Sequence, residues 1–138
     1  MDADGFTIVS SGFSGGTGWH RRLEDDERAR VHDLMARLEI STLETRNALT
    51  VSQGELRKLL IARALVTEPD VLILDEAFDY LDATSRENMF AFLETLSNHI
   101  TFLVIAHRLE DIPNWVSRTV RLSAGRVVDN GAMRELEV

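Results

Sequence analysis

The sequence predicts an α/β domain built around a parallel sheet. Two short apolar runs, 71–75 and 101–106, have the length and composition of buried strands. A helical pattern over 84–96 lies between them and opens with Thr84 and Glu87 at the spacing of a capping box. A strand, a helix and a second strand in this order form a βαβ unit, for which a right-handed crossover is expected.

Length and composition limit what the chain can be. Its 138 residues, 44% of them hydrophobic and 28% charged, are enough for one domain with one core. The absence of cysteine excludes disulfides and thiolate metal sites, and the net charge of −8 argues against a nucleic-acid partner. No apolar run reaches the roughly 18 residues of a membrane span, and the start lacks a basic signal region. We therefore expect a cytoplasmic chain without membrane insertion, either free or peripheral at the inner face of the membrane.

Three helical patterns precede the first strand. Apolar residues at helical spacing predict an amphipathic helix over 24–40. A shorter helix is expected over 41–47, where a serine and a glutamate have capping-box spacing. The same spacing recurs at Ser52 and Glu55, at the start of a helix that runs to about residue 66.

The patterns divide the chain into three segments. A loop over 1–22 leads into a helical subdomain over 23–67, and 68–138 holds the strands of the α/β core. The tail over 117–131 predicts a β-hairpin that turns at 123–125, with a few helical residues after it.

The first segment contains a glycine-rich stretch, SSGFSGGTGWH over 10–20, which follows an apolar run as a phosphate-binding loop would. Gly12 and Gly18 are one position too far apart for that motif, and Trp19 stands where the motif needs lysine. We expect a flexible loop here and not a phosphate cradle.

Ionisable residues follow both predicted strands. Asp75 and Glu76 end the first strand, and His107 follows the second. Acids at the end of one strand are common, but the carboxyl ends of parallel strands meet at one edge, where ligands of α/β folds bind. We expect the two acids and the histidine to lie close together there.

The start of the third helix offers a second kind of site. Free backbone N–H groups, the positive end of the helix dipole and the hydroxyl of Ser52 suit a phosphate. A capping box alone explains Ser52 and Glu55 equally well, so both interpretations stay open at this point.

The motifs together resemble a known family. The stretch VSQGELRKLLIARALVTEPDVLILDEAFDYLDATSR resembles the signature, Walker B and D-loop block of ABC-type ATPases. Residues 51–55 stand where that family has Leu-Ser-Gly-Gly-Gln, Asp75-Glu76 at Walker B, 79–82 at the D-loop, and His107 at the switch histidine. The order and spacing of all four motifs over 51–108 are those of the family. Within it, the chain looks most like soluble tandem-domain proteins of molybdate transport or photorepair.

The resemblance implies a P-loop NTPase fold, ATP and Mg²⁺ as cofactors, and a role for each matched residue. Asp75 would hold Mg²⁺, Glu76 would orient or deprotonate the attacking water, and His107 would contact the γ-phosphate. The remaining matched positions would serve nucleotide bound by an opposing ATPase domain or lie at the contact with it: Ser52, Gln53, Gly54, Glu55 and Asp82.

Two positions depart from the family pattern, and one motif is missing. Gln53 replaces the first glycine of the signature and Ala77 the usual proline after the acids, which puts affinity or rate in doubt. No GxxxxGK[ST] motif occurs, and Lys58 is the only lysine. We expect the C-terminal portion of an ABC ATPase domain, inactive until a Walker A half is supplied from upstream or from another chain.

Two functions follow. The chain is either the carboxylate-bearing part of an ATP-hydrolysing, transporter-associated enzyme of the molybdate type, or a non-catalytic module that docks onto a complete ATPase domain. Its expected partners are a second ABC ATPase domain and membrane permease subunits.

Overall fold

The computed structural model describes residues 3–15 and 22–132. Its helices and strands follow the chain as α1 (Gly5–Ser10), α2 (Asp25–Arg37), α3 (Gln53–Leu65), β1 (Val71–Asp75), α4 (Ala83–Glu94), β2 (Thr101–Ile105), β3 (Arg118–Ser123) and β4 (Arg126–Ala132). Within the described residues, four short 3₁₀ turns lie between them, at Ser11–Ser14, Ser41–Leu43, Ala48–Thr50 and Leu109–Asp111.

The strands of the described residues form two small sheets. β1 and β2 are parallel, with Val71 opposite Thr101 and Asp75 opposite Ile105, and α4 connects them. β3 and β4 form an antiparallel hairpin that turns through Ala124 and Gly125, both at positive φ. The predicted βαβ unit and hairpin are therefore confirmed. The helical residues expected after the hairpin fall from 133 onward, outside the described residues, while β4 continues to Ala132.

The core lies between the helices and one face of the β1–β2 sheet. Leu59 on α3 and Leu93 on α4 are fully buried. Each belongs to a series of apolar residues whose helical spacing keeps one face of the helix turned inward. Other buried apolar side chains join them from every layer: Val9, Val31, Met35, Leu43, Ala62, Leu72, Leu74, Phe78 and Met89. This packing fixes the loop after β1 against α4.

The N-terminal segment is not a loop over its whole length. Gly5–Ser10 is a helix whose N-cap, Asp4, accepts a hydrogen bond from the Thr7 N–H at 2.8 Å. Gly5 and Gly12 sit so close to the backbone carbonyls of the neighbouring structure that a Cβ at either position would overlap an oxygen atom. The predicted loop over 1–22 is wrong for 5–14, where helical turns form because these glycines permit close packing. Residues 16–21 lie outside the described residues.

Two predicted helix starts are also corrected. The 41–47 segment makes only a 3₁₀ turn at Ser41–Leu43, without a side-chain cap. α4 begins one residue earlier than predicted, and its N-cap is Asp82 instead of Thr84. The carboxylate of Asp82 accepts from the Ser85 backbone and thus satisfies an amide that the helix cannot pair internally.

One face of the β1–β2 sheet is open. We define the open sheet face as Val71, Ile73, Leu103 and Ile105, whose exposed fractions lie between 45% and 60%. The strands were expected to be buried on both faces, and this is wrong for the described chain because the helices cover only the side of Leu72 and Leu74. Four neighbouring apolar side chains on one sheet form an exposed hydrophobic patch, which typically marks an interaction surface.

Candidate functional site

The carboxyl ends of β1 and β2 bring the predicted ionisable residues together. The backbone N–H of Glu76 donates to the carbonyl of Ile105 at 2.9 Å, which extends the pairing of the strands by one residue. Just beyond, Nε2 of His107 lies 3.2 Å from Oε1 of Glu76. Both side chains are about half exposed, so the pair lies at the surface and is open to a ligand.

Glu76 marks a sharp change in the chain direction. Its φ of 47° is in the left-handed region, which costs a non-glycine residue about 1–2 kcal/mol. The turn that follows is closed by a hydrogen bond from the Asp79 N–H to the Glu76 carbonyl at 3.3 Å. Uncommon backbone geometry of this kind concentrates at functional sites.

Asp79 joins the pair in space. One oxygen of its carboxylate lies within 4.8 Å of both the Glu76 oxygen and the His107 nitrogen. From sequence, Asp79 is assigned only a place in the D-loop. The one sequence signal for a role in the site is its position three residues after Glu76, since a tight turn brings the first and fourth residues close together.

Asp75 stands apart from this cluster. Its carboxylate is exposed and, within the described chain, makes no hydrogen bond or ion pair. An unpaired carboxylate at the ligand-binding edge of a parallel sheet fits a hard cation such as Mg²⁺, which prefers oxygen ligands and keeps several waters. The donor type at this position is therefore compatible with the metal that the resemblance implies.

The start of α3 forms the predicted capping box. Oγ of Ser52 accepts from the Glu55 N–H at 3.2 Å, and Oε2 of Glu55 accepts from the Ser52 N–H at 2.7 Å. Arg46 donates to the other oxygen of Glu55 at 3.0 Å. Both oxygens of Glu55 are thus engaged within the chain, while the exposed Ser52 hydroxyl keeps its proton available to a ligand.

These contacts predict a pH dependence of stability. The hydrogen bond from the Ser52 backbone lowers the pKa of Glu55 below its ordinary value of 4.5, and Arg46 adds to the effect. A carboxyl with a lowered folded-state pKa stabilises the fold at neutral pH, and this stabilisation is lost as the pH falls below about 4.5 through the lowered value. We expect Glu55→Gln to lower the melting temperature at pH 7 and to do so less at pH 3.

Thermal unfolding monitored by circular dichroism at both pH values checks this expectation. Glu94→Gln, at the exposed end of α4, is the matched control, with the same small effect at both pH values. An equal loss at pH 7 and pH 3 for Glu55→Gln would contradict the assignment.

Gly54 faces the D-loop, defined here as residues 79–82. A Cβ placed on Gly54 would lie 2.9 Å from the carbonyl oxygen of Tyr80 and 3.7 Å from Cδ2 of Leu81. One turn further along α3, the Arg57 guanidinium lies 5.8 Å from the Tyr80 ring centroid, in cation–π range. The signature segment and the D-loop are therefore packed against each other within this chain.

A side chain at Gly54 is expected to disturb this packing. Gly54→Ala should lower the free energy of unfolding by about 1–2 kcal/mol. The added methyl group forces the Tyr80 backbone to move, and the cost of this movement exceeds the gain in helix propensity. Urea unfolding measures the change, with Gln53→Ala on the exposed neighbouring position as the control. The packing assignment fails if the two variants are equally stable.

The D-loop side chains have separate environments. Asp82 caps α4 through the Ser85 N–H and hydroxyl, both at 2.9 Å, and the backbone hydrogen bond lowers the pKa of its carboxyl. Phe78, which directly precedes the D-loop, is 1% exposed and packs edge-on against Phe90. Tyr80 is 65% exposed and remains free to contact a partner.

Comparison with known proteins identifies the class of this site. Residues 6–79 match the family model described as ABC transporter, and these residues include the signature, Walker B and the first residue of the D-loop. The chain belongs to this family, and its fold is that of an ABC-type ATPase domain.

The matches to individual relatives include most of this chain but only a small part of each relative. The ATP-dependent lipid A-core flippase of Paraburkholderia xenovorans (strain LB400) is 44% identical over 97 residues, 70% of this chain but 16% of the flippase. The chain thus spans about a sixth of the length of such relatives.

Solved structures agree on the fold. An ATP-binding cassette of an ABC transporter in its ADP conformation superposes with a TM-score of 0.80 at 22% identity, over 97% of this chain and 57% of that one. The cbiO1 protein of Clostridium perfringens, part of the ABC transporter complex cbiONQ, gives 0.77 at 29% identity, over 98% and 53%. The similarity to molybdate-transport or photorepair proteins stays a prediction, and no described helix is long and apolar enough to cross a membrane.

Proposed function

We propose that this chain contributes the signature, Walker B, D-loop and switch-histidine residues of an ATP-hydrolysing site, and that a P-loop half absent from its 138 residues completes the site. The observation that carries the proposal is the pairing of Glu76 with His107, 3.2 Å apart at the carboxyl edge of the parallel sheet. A carboxylate and an imidazole placed together at such an edge suit proton transfer and phosphate contact.

The open sheet face supports the need for a second half. Its four apolar side chains are exposed on the strands that carry the site. At roughly 25 cal/mol per Å² of buried apolar surface, covering them would strongly favour association with a matching layer. The sequence also lacks the P-loop lysine, since Lys58 lies within α3. One kind of partner, a P-loop half, would both cover the open sheet face and supply the missing lysine.

The roles of the described residues follow from their positions. Asp75 would bind Mg²⁺, which neutralises charge on the phosphates when present. Glu76 would orient the attacking water and accept its proton, and His107 would hold Glu76 in place and contact the terminal phosphate. Because the transition state is loose, positioning and charge neutralisation supply most of the acceleration.

The α3 start would serve a second nucleotide. Ser52, Gln53 and Gly54 are at the surface with a free hydroxyl and the positive end of a helix, which suits the phosphate of nucleotide held by an opposing ATPase domain. Glu55 would support this segment through the capping box, and Asp82 would hold the D-loop at the same contact. This arrangement makes a second ABC ATPase domain the expected partner.

The cellular setting is proposed from the relatives. We propose a setting at the cytoplasmic side of a membrane, next to permease segments that select the cargo. Relatives named as a flippase and as part of an ABC transporter complex support this proposal. The molybdate-type cargo expected from sequence stays a prediction that the described residues do not test.

A docking module without chemistry is the second candidate. It is favoured by the structural engagement of Glu55 and Asp82, both of which cap helices in this chain. A docking surface would keep these caps but has no chemical need for the Glu76–His107 pair.

One experiment separates the two candidates. The P-loop half of the ATPase domain of the Paraburkholderia xenovorans flippase is joined ahead of this chain, and we call the product the completed chain. We expect Mg²⁺-dependent ATP hydrolysis by the completed chain. Binding of a complete ATPase domain by the 138-residue chain, together with an inactive completed chain that still binds ATP, would favour the docking module instead.

A further inference from the structure

A buried carboxylate behind the switch histidine holds two arginines. Asp111 is 3% exposed and is the one charged residue buried to this degree among residues 3–15 and 22–132. Its Oδ2 accepts from Nε of Arg108 at 2.7 Å, and its Oδ1 accepts from Nη1 of Arg86 at 3.3 Å. A buried carboxylate is stable when it is paired and hydrogen-bonded, so Asp111 fixes the guanidinium of Arg108 in place.

Arg108 extends from this anchor to the D-loop. Its Nη2 lies 3.5 Å from Oδ1 of Asp79, and its Nη1 lies 3.3 Å from Oε1 of Glu110. The hydrogen bond to Asp111 raises the pKa of Arg108 above its ordinary value, and the charges of Glu110 and Asp79 add to this. The guanidinium is therefore charged throughout the physiological pH range.

Two carboxylates surround His107. Glu76 is paired with it, and an oxygen of Asp79 lies within 4.8 Å of both partners. Without a cation beside it, Asp79 would repel Glu76 or compete with it for the imidazole, because like charges at this distance interact unfavourably. Arg108, the next residue after His107, is the cation that pairs with the Asp79 carboxylate.

We propose that Arg108 is a positioning residue, which holds the Asp79 carboxylate and with it the D-loop, so that His107 remains paired with Glu76. Asp111 and Arg86 form the buried base of this contact. The catalytic consequence rests on the proposed function, whereas the coupling between Arg108 and the D-loop does not.

The coupling is tested on the 138-residue chain itself. Hydrogen exchange of the Asp79 and Leu81 amides, both bonded within the 76–81 turn, is followed by NMR for Arg108→Gln, Asp79→Asn and the double variant. We expect about fivefold faster exchange in each single variant and no further increase in the double variant. Arg118→Gln removes an exposed arginine hydrogen bond in the hairpin and should leave these amides unchanged.

Unchanged exchange in Arg108→Gln, or losses that multiply in the double variant, would overturn the proposal. In the completed chain we expect each single variant to lower kcat about tenfold with the KM for ATP within about twofold, and the double variant to match the singles. A change in KM alone would show a purely structural role. If the unaltered completed chain were inactive, the proposed function would fail, and the exchange result would still decide the coupling.

Discussion

Replacing Glu76 with glutamine is expected to lower ATP turnover by the completed chain by about 10²–10⁴-fold, because glutamine keeps the shape but cannot accept the proton of the attacking water. The contact of 3.2 Å with His107 becomes a neutral hydrogen bond, so the loop geometry should persist. Phosphate release over time, with ATP binding measured in parallel, separates loss of chemistry from loss of binding.

The control for this variant is Glu87→Gln, on the exposed surface of α4. We expect turnover within about twofold of the unaltered completed chain, as for surface substitutions in general. If Glu76→Gln retained the activity of this control, Glu76 would not be the residue that activates water.

Truncation of Phe78 is expected to have the largest effect on stability. Phe78 is 1% exposed, and its ring packs at 4.8 Å, centroid to centroid, against Phe90. Removing a buried phenyl ring leaves a cavity and costs about 3–5 kcal/mol, which is a large part of the stability of a domain of this size. Urea unfolding of the 138-residue chain with Phe78→Ala measures this loss.

Tyr80→Ala gives the matched control, since Tyr80 lies two residues away in the same turn but is 65% exposed. Among the described residues, the Tyr80 ring makes a cation–π contact with Arg57 alone, so the cost should stay below about 1 kcal/mol. Comparable losses for Phe78→Ala and Tyr80→Ala would mean that the D-loop is not anchored through the core.

The features that sequence predicts well are those whose partners lie within one helical turn or one strand. The Ser52–Glu55 capping box needs only two residues three positions apart, and it forms as predicted. The parallel pairing of β1 and β2 likewise follows from two apolar runs with a helix between them. This pairing places Glu76 beside His107, a proximity already predicted from the positions of the two residues after the strands.

The features that sequence missed depend on contacts between distant segments. Gly5 and Gly12 look like loop residues by composition, and only the carbonyls of Leu43 and Arg63 show that they permit close packing. The Asp111 network joins Arg86 to a residue 25 positions away, and no local pattern marks a buried carboxylate. An apolar strand also does not reveal whether its second face is covered, as the open sheet face demonstrates.

We propose that this chain holds the carboxylates of a nucleotide site whose lysine lies in another half. Equilibrium titration of a fluorescent ATP analogue, with and without Mg²⁺, tests it on the 138-residue chain and on the completed chain. We expect Mg²⁺-dependent binding in the micromolar range by the completed chain only, because a P-loop supplies the main phosphate contacts. Micromolar, Mg²⁺-dependent binding by the 138-residue chain alone would contradict this proposal.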